Sequence, residues 1–213
     1  MKKNLTELVF ILDRSGSMRG LESDTVGGYN ALLDKQRKED GEAIVTTVLF
    51  DDGYELLHDR IPLTGIADIT TKEYYVRGCT ALLDAVGCII TKIENAQAHT
   101  LESQRPEKTL FVITTDGLEN SSKEYRLDSV KAMIDRCRER GWEFLFLGAN
   151  MDAVKTASAM GIAPERSVNY HADSVGTAAT FASVACAVSE MRCGIMGNKW
   201  RKAVDEDYNS RKR

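Results

Sequence analysis

Leu8-Val9-Phe10-Ile11-Leu12-Asp13-Arg14-Ser15-Gly16-Ser17 is the stretch on which the fold turns. Its first five residues are an unbroken apolar run that stops at an acid. So short a run without polar alternation reads as a strand buried on both faces, which is what the centre of a parallel sheet requires. Working outward, Thr109 to Thr114 is a second such run, stopped by Asp116-Gly117, and Glu143 to Leu147 a third, stopped by Gly148. Ala43 to Phe50 is rich in Val and Thr, and Asp52-Gly53 turns it into Tyr54 to Leu57, an antiparallel edge strand. Arg166 to Tyr170 is a last short strand. Helical spacing fills the gaps. Leu82, Leu83, Val86, Ile89, Ile90 and Ile93 make one continuous apolar stripe. Val26, Tyr29, Leu32 and Leu33 make an earlier one; Val130, Met133, Ile134 and Cys137 a later one that ends near Gly141. Asp152 to Met160 is a short helix closed by Gly161, and Phe181, Val184, Val188 and Met191 mark the final helix.

Strands alternating with helices imply βαβ crossovers and a sheet covered on both faces. The expected fold class is α/β: a doubly wound, Rossmann-like three-layer sandwich, its sheet mostly parallel with one antiparallel edge strand. At 213 residues the chain holds one domain, with 43% hydrophobic and 28% charged residues, which excludes a disordered or fibrous chain. The mixed-sign charges from Lys199 to Arg213 read as a solvated or frayed end, so the expected division is a domain over 1–196 and a charged tail over 197–213. A formal net charge of −4 gives no electrostatic reason to bind nucleic acid or anionic lipid. No stretch reaches the ~20 apolar residues of a membrane span. The apolar run after the basic start is too short for a signal-peptide core. The cysteine count is odd, at five, and no pair is spaced for a structural zinc site. These features lead us to expect a soluble cytoplasmic protein with free thiols.

In open α/β sheets the site lies beyond the carboxyl ends of the strands. Asp13, Ser15 and Ser17 follow the first strand, Thr80 precedes the apolar helix stripe, and Asp116 follows the central strand. Two carboxylates and three hydroxyls can therefore meet on one rim. An all-oxygen set suits a hard divalent cation, Mg2+ before Mn2+ or Ca2+. Helix N-termini aimed at the same rim would add attraction for an anion. Taken singly, each piece has a plainer reading: a loop turn for Ser15-Gly16-Ser17, a helix N-cap for Thr80, a tight turn for Asp116-Gly117. Order and placement together carry the metal reading.

On these residues the chain resembles a von Willebrand factor A (VWA) domain with a metal-ion-dependent adhesion site. That family's pattern is Asp-x-Ser-x-Ser, a distant Thr and a later Asp; Asp13, Ser15, Ser17, Thr80 and Asp116 match it position by position, from about Leu8 to Met191. The resemblance implies that Ser15, Ser17 and Thr80 carry the ion, that Asp13 and Asp116 set charge and orientation, and that an Asp or Glu of a partner protein completes the coordination. It implies a binding module with no catalytic group. In size the chain resembles compact bacterial stand-alone members, including those of tellurite-resistance-type operons. The loops around Arg14, Met18-Arg19-Gly20 and Glu119-Asn120 would then choose the partner.

Two rivals stand beside this reading. A VWA-type scaffold with a non-functional metal site would keep the fold alone. A magnesium-dependent phosphatase of the haloacid-dehalogenase type would need a second carboxylate where Ser15 stands. GxSxG, Walker A and GxGxxG patterns are absent. His58, His99 and His171 are scattered, Cys79 reads as a buried thiol, and Asp51-Asp52 reads as part of the hairpin turn.

Overall fold

The computed structural model describes residues 1–194 and 196–211. Six strands form one sheet: β1 (Lys2–Asp13), β2 (Glu42–Phe50), β3 (Tyr54–Pro62), β4 (Pro106–Thr115), β5 (Glu143–Ala149) and β6 (Ser167–Tyr170), in the order β3-β2-β1-β4-β5-β6. All neighbouring pairs are parallel except β2 with β3. The doubly wound α/β fold expected from the sequence is the one observed. The helices are α1 (Glu22–Arg37), α2 (Leu82–Ala98), α3 (Leu127–Glu139), α4 (Ala153–Ala159), α5 (Ser174–Arg192) and α6 (Lys202–Ser210).

β1 shows why the apolar run is unbroken. Successive side chains of a strand point to opposite faces. Leu8, Phe10 and Leu12 enter one core with Tyr29 and Leu33 of α1 and Phe181 and Val188 of α5. Val9 and Ile11 enter the other with Val86 and Ile90 of α2 and Ile134 of α3. Both faces are covered, so from Leu8 to Leu12 every residue is apolar, and the next polar one stands where the strand emerges at Asp13. The strand begins earlier than its apolar run, at Lys2, with a register irregularity against β4 between Lys2 and Thr6.

Edge strand β3 pairs irregularly, with register shifts on either side of Thr47. Arg60 there adopts φ +51°, and its guanidinium lies 2.6 Å from the buried carboxylate of Glu7.

The tail departs from expectation. Lys199–Arg201 forms a turn that leads into α6, and Trp200 and Val204 are buried in the α1/α5 core. Two apolar residues four apart, one in the turn and one on the helix, suffice to anchor this charged segment. The ring of Tyr208 stacks on His171 at 4.8 Å, and Arg211 lies 2.5 Å from Asp173, the N-cap residue of α5.

Glu94 joins α2 to α3. Its carboxylate accepts from Arg136 at 2.7 Å and from Arg140 at 2.7 Å. Burial alone would raise this carboxyl, but the two guanidinium groups outweigh it and hold it below its ordinary value. A lowered folded-state pKa stabilises above the unfolded value of ~4.3, and that contribution is lost as the pH falls through the folded value. Glu94→Gln is therefore expected to cost about 1 kcal/mol at pH 7. The difference from the parent should shrink steadily as the pH is lowered from 7 through the folded-state value, as read by urea unfolding across an acid pH series.

Candidate metal centre

β1 and β4 are parallel neighbours in register, with Leu12 opposite Thr114. β2 continues the sheet on one side of β1, and β4 on the other. This is the point where the winding reverses, so the loops after β1 and β4 open side by side. Asp13 and Asp116 leave the sheet there. Tyr74 donates its hydroxyl to the Asp13 carbonyl, and the Ser15 amide donates to Asp13 Oδ1 at 2.7 Å. The second Asp13 oxygen accepts from Thr115 Oγ1 at 2.6 Å.

From Ser15 the cluster runs outward. Ser15 Oγ and Ser17 Oγ are 3.0 Å apart, and Ser17 Oγ donates to Asp116 Oδ1 at 2.5 Å. A methyl group on Gly117 would stand 3.2 Å from Thr80 Oγ1 and 3.3 Å from Ser17 Oγ, so both hydroxyls face one point. Asp13, Ser15, Thr80 and Asp116 are buried, while Ser17 is exposed and forms the mouth. The structure thus brings all five sequence-derived residues to one place. Thr80 is not the helix cap: Ala81 holds the N-cap position of α2.

The electrostatics are those of an unbalanced pair of acids. Burial raises both carboxyls above the ordinary range. Hydrogen bonds from Thr115 and Ser15 pull Asp13 back, as Ser17 does for Asp116, while the charge of Asp13 pushes Asp116 further up. Asp116 Oδ2 is buried with no hydrogen-bond partner among the described residues. An orphaned carboxylate oxygen in such a place costs free energy unless something cationic meets it. Among the described residues, no three or more His, Cys, Asp or Glu side chains gather to hold a metal; the donor set is two carboxylates and three hydroxyls. An all-oxygen set of this charge fits a small hard cation.

Several surrounding residues support the site in ways the sequence did not show, Glu119 and Asn120 among them, which were expected to choose a partner. Asp51 takes both Arg14 and Arg77, whose Nε atoms lie 2.8 and 2.7 Å from its Oδ2. Burial would raise Asp51, but hydrogen bonds from Arg77, Gly53 and Arg14 bring it below its ordinary value. Asn120 clasps Thr80 from both sides: its Oδ1 accepts from the Thr80 amide at 3.0 Å and its own amide donates to the Thr80 carbonyl at 3.1 Å. Glu119 accepts from the Leu83 amide at 2.9 Å, and Ser122 Oγ from the Asp84 amide at 3.0 Å. These first amides of α2, expected to face an anion, are therefore already occupied.

Three expectations are corrected here. Arg14 is no partner-selecting surface charge: it is fully buried, because Asp51 and Glu55 draw its guanidinium inward. Met18 is buried too. Cys79 is exposed rather than buried, because the loop carrying it turns outward at Gly78, φ +68°. The larger concavities lie elsewhere; one of about 390 Å3, lined by Gln97, Arg105 and Trp142, opens at the opposite end of the sheet.

No protein-family model and no curated protein matches the chain. Solved structures do. Proximal thread matrix protein 1 from the mussel byssus, with a zinc-occupied MIDAS motif, superimposes with TM-score 0.59 at 14% identity over 86% of this chain. The chain spans about half of that protein's length (46%). Manganese-loaded TRAP protein of Plasmodium vivax matches with TM-score 0.57 at 15% identity, over 80% of this chain and 70% of its own. The vWF domain of the type V pili tip protein Mfa5 from Porphyromonas gingivalis matches with TM-score 0.60 at 9% identity, over 86% and 94%. With its sheet order and helices on both faces, the chain has the fold of a von Willebrand factor A domain.

Proposed function

We propose that the protein is a divalent-metal-dependent binding module that recognises an acidic side chain of a partner protein. One observation carries the reading: Asp116 Oδ2 is buried and unpartnered at the edge of a two-carboxylate, three-hydroxyl cluster. Asp13, Ser15, Ser17, Thr80 and Asp116 would hold the ion, with Mg2+ the first choice and Mn2+ or Ca2+ possible. When bound, the ion supplies an electrophilic position that a carboxylate can fill. The chain's own residues do the rest. Thr115 and the Ser15 amide fix the Asp13 carboxylate, Asn120 fixes Thr80, and exposed Ser17 marks where a partner would approach. Exposed Tyr75 and Leu118 stand in the loops beside Thr80 and Asp116 and offer apolar contact around a central charge. The mussel protein with its zinc-occupied MIDAS motif and manganese-loaded TRAP support the metal part by analogy of fold.

Isothermal titration of the chelator-stripped chain with MgCl2 and MnCl2 tests this. One saturable site is expected, tightened when acetate or glutamate is present. No heat with either metal, with and without the carboxylate, would leave a scaffold whose cluster binds nothing.

A further inference from the structure

A neutral ionic hub lies on this rim, outside the five-residue cluster. Arg14 belongs to the loop that carries Ser15 and Ser17, and Arg77 to the loop that carries Thr80. Both guanidinium groups converge on one oxygen of Asp51, whose side chain is 2% exposed. The same residue's backbone carbonyl accepts from the Ala81 amide at 2.7 Å. Around it the two loops are stitched directly: the Arg77 amide donates to the Arg14 carbonyl at 2.8 Å, and the Gly16 amide to the Gly78 carbonyl at 3.2 Å. The contact is close. A methyl on Gly78 would fall 2.4 Å from Asp52 Oδ1 and 3.3 Å from Asp51 Cβ, so glycine alone allows the Thr80 loop to lie on the 51–52 turn. Glu55 takes the other arm of Arg14 at 2.8 Å, and both guanidinium groups lie against the Tyr75 ring, 5.3 and 5.5 Å from its centroid. The charges of Arg14, Arg77, Asp51 and Glu55 cancel.

We propose that Asp51 is a positioning residue for the rim: it sets Thr80 against Ser15 and Ser17, and it neutralises two arginines that would otherwise repel a cation bound there. The second half rests on the metal reading above; the first half does not. Without Asp51 the hub would carry one net positive charge, Arg14 keeping Glu55, and would raise the positive potential where an ion must enter. Loss of a supporting group around a metal site typically costs 10–100-fold in affinity.

The test combines three substitutions, singly and in pairs, with metal affinity and amide exchange as readouts. Asp51→Asn is expected to weaken Mg2+ and Mn2+ binding by about tenfold or more. Adding Arg77→Gln to it removes the excess charge and should recover part of that loss. Thr80→Ala should weaken binding less in the Asp51→Asn background than in the parent, because Asp51 acts through Thr80. In the metal-free protein, amide exchange at Arg77 and Ala81 should speed up in Asp51→Asn. Parent-like metal affinity in Asp51→Asn or no recovery in the double variant would each overturn the charge-balancing role, and strictly additive effects with Thr80→Ala would overturn the positioning role. Unchanged exchange at Arg77 and Ala81 would overturn the positioning role. If Asp51→Asn fails to fold, Arg77→Gln, at a half-exposed residue, must by itself speed those two amides without lowering the unfolding midpoint, or the positioning role falls. A parent that binds neither metal sinks the metal reading and the charge-balancing role with it, while the exchange readout still decides the positioning role.

Discussion

Asp116→Ala is expected to abolish divalent-cation binding while leaving the fold standing. Losing a supporting group costs a metal site 10–100-fold, so losing one of two carboxylates should cost more than ~100-fold. The stability side runs the opposite way. The carboxylate is buried, its Oδ2 has no partner among the described residues, and Asp13 repels it. Removing it gives up the 2.5 Å hydrogen bond from Ser17 but also removes a desolvated charge. The metal-free variant should therefore unfold at or above the parent's midpoint. Titration calorimetry with Mn2+ and thermal unfolding by circular dichroism measure the two sides. Parent-like Mn2+ affinity in the variant would mean that the cluster is not the site. A collapse in stability would mean that Asp116 is a structural acid.

Trp200→Ala should produce the second large effect, this time on stability. The indole is 2% exposed and shares its core with α1 and α5. Truncating a buried aromatic of this size costs about 3–5 kcal/mol. Chemical denaturation measures it directly. A frayed appendage would give a change near zero, so the experiment separates a folded C-terminal segment from a solvated one. The variant should still bind Mn2+ wherever it remains folded, because the turn that carries Trp200 packs against α5 and α6, and none of the five cluster residues lies on either helix.

What the sequence made legible follows from the physics of each feature. The central strand and α2 were readable because burial on two faces, or on one helical stripe, leaves an unbroken local pattern. The five cluster residues were readable because a doubly wound sheet assigns a fixed place to whatever follows β1 and β4. Arg14 was not. Its burial depends on Asp51, a partner on another strand end, and an arginine beside a turn looks like a surface charge until that partner is in place. Asp51 was hidden behind a real turn: its Oδ1 accepts from the Gly53 amide at 3.0 Å while its other oxygen does ionic work. Thr115 stands directly before Asp116, but nothing local says that its hydroxyl reaches Asp13. Asn120 clasps Thr80 across the gap between two loops, which no window along the chain can contain. The tail was misjudged because abundant charges conceal the two apolar residues, Trp200 and Val204, that bury it.

The irregular pairing of β3 and the brevity of β6 bear on how the protein behaves at high concentration. The ends of a sheet offer unpaired backbone groups that can recruit strands from other chains into aggregates. At one end, the shifts around Thr47 and the positive φ of Arg60 break the regular ladder that an incoming strand would have to copy. At the other, β6 offers only four residues, and α6 packs against it. Neither end is a good template. A chain truncated before Lys199 would lose α6 from beside β6 and, at raised concentration, should form thioflavin-positive assemblies that the full chain resists.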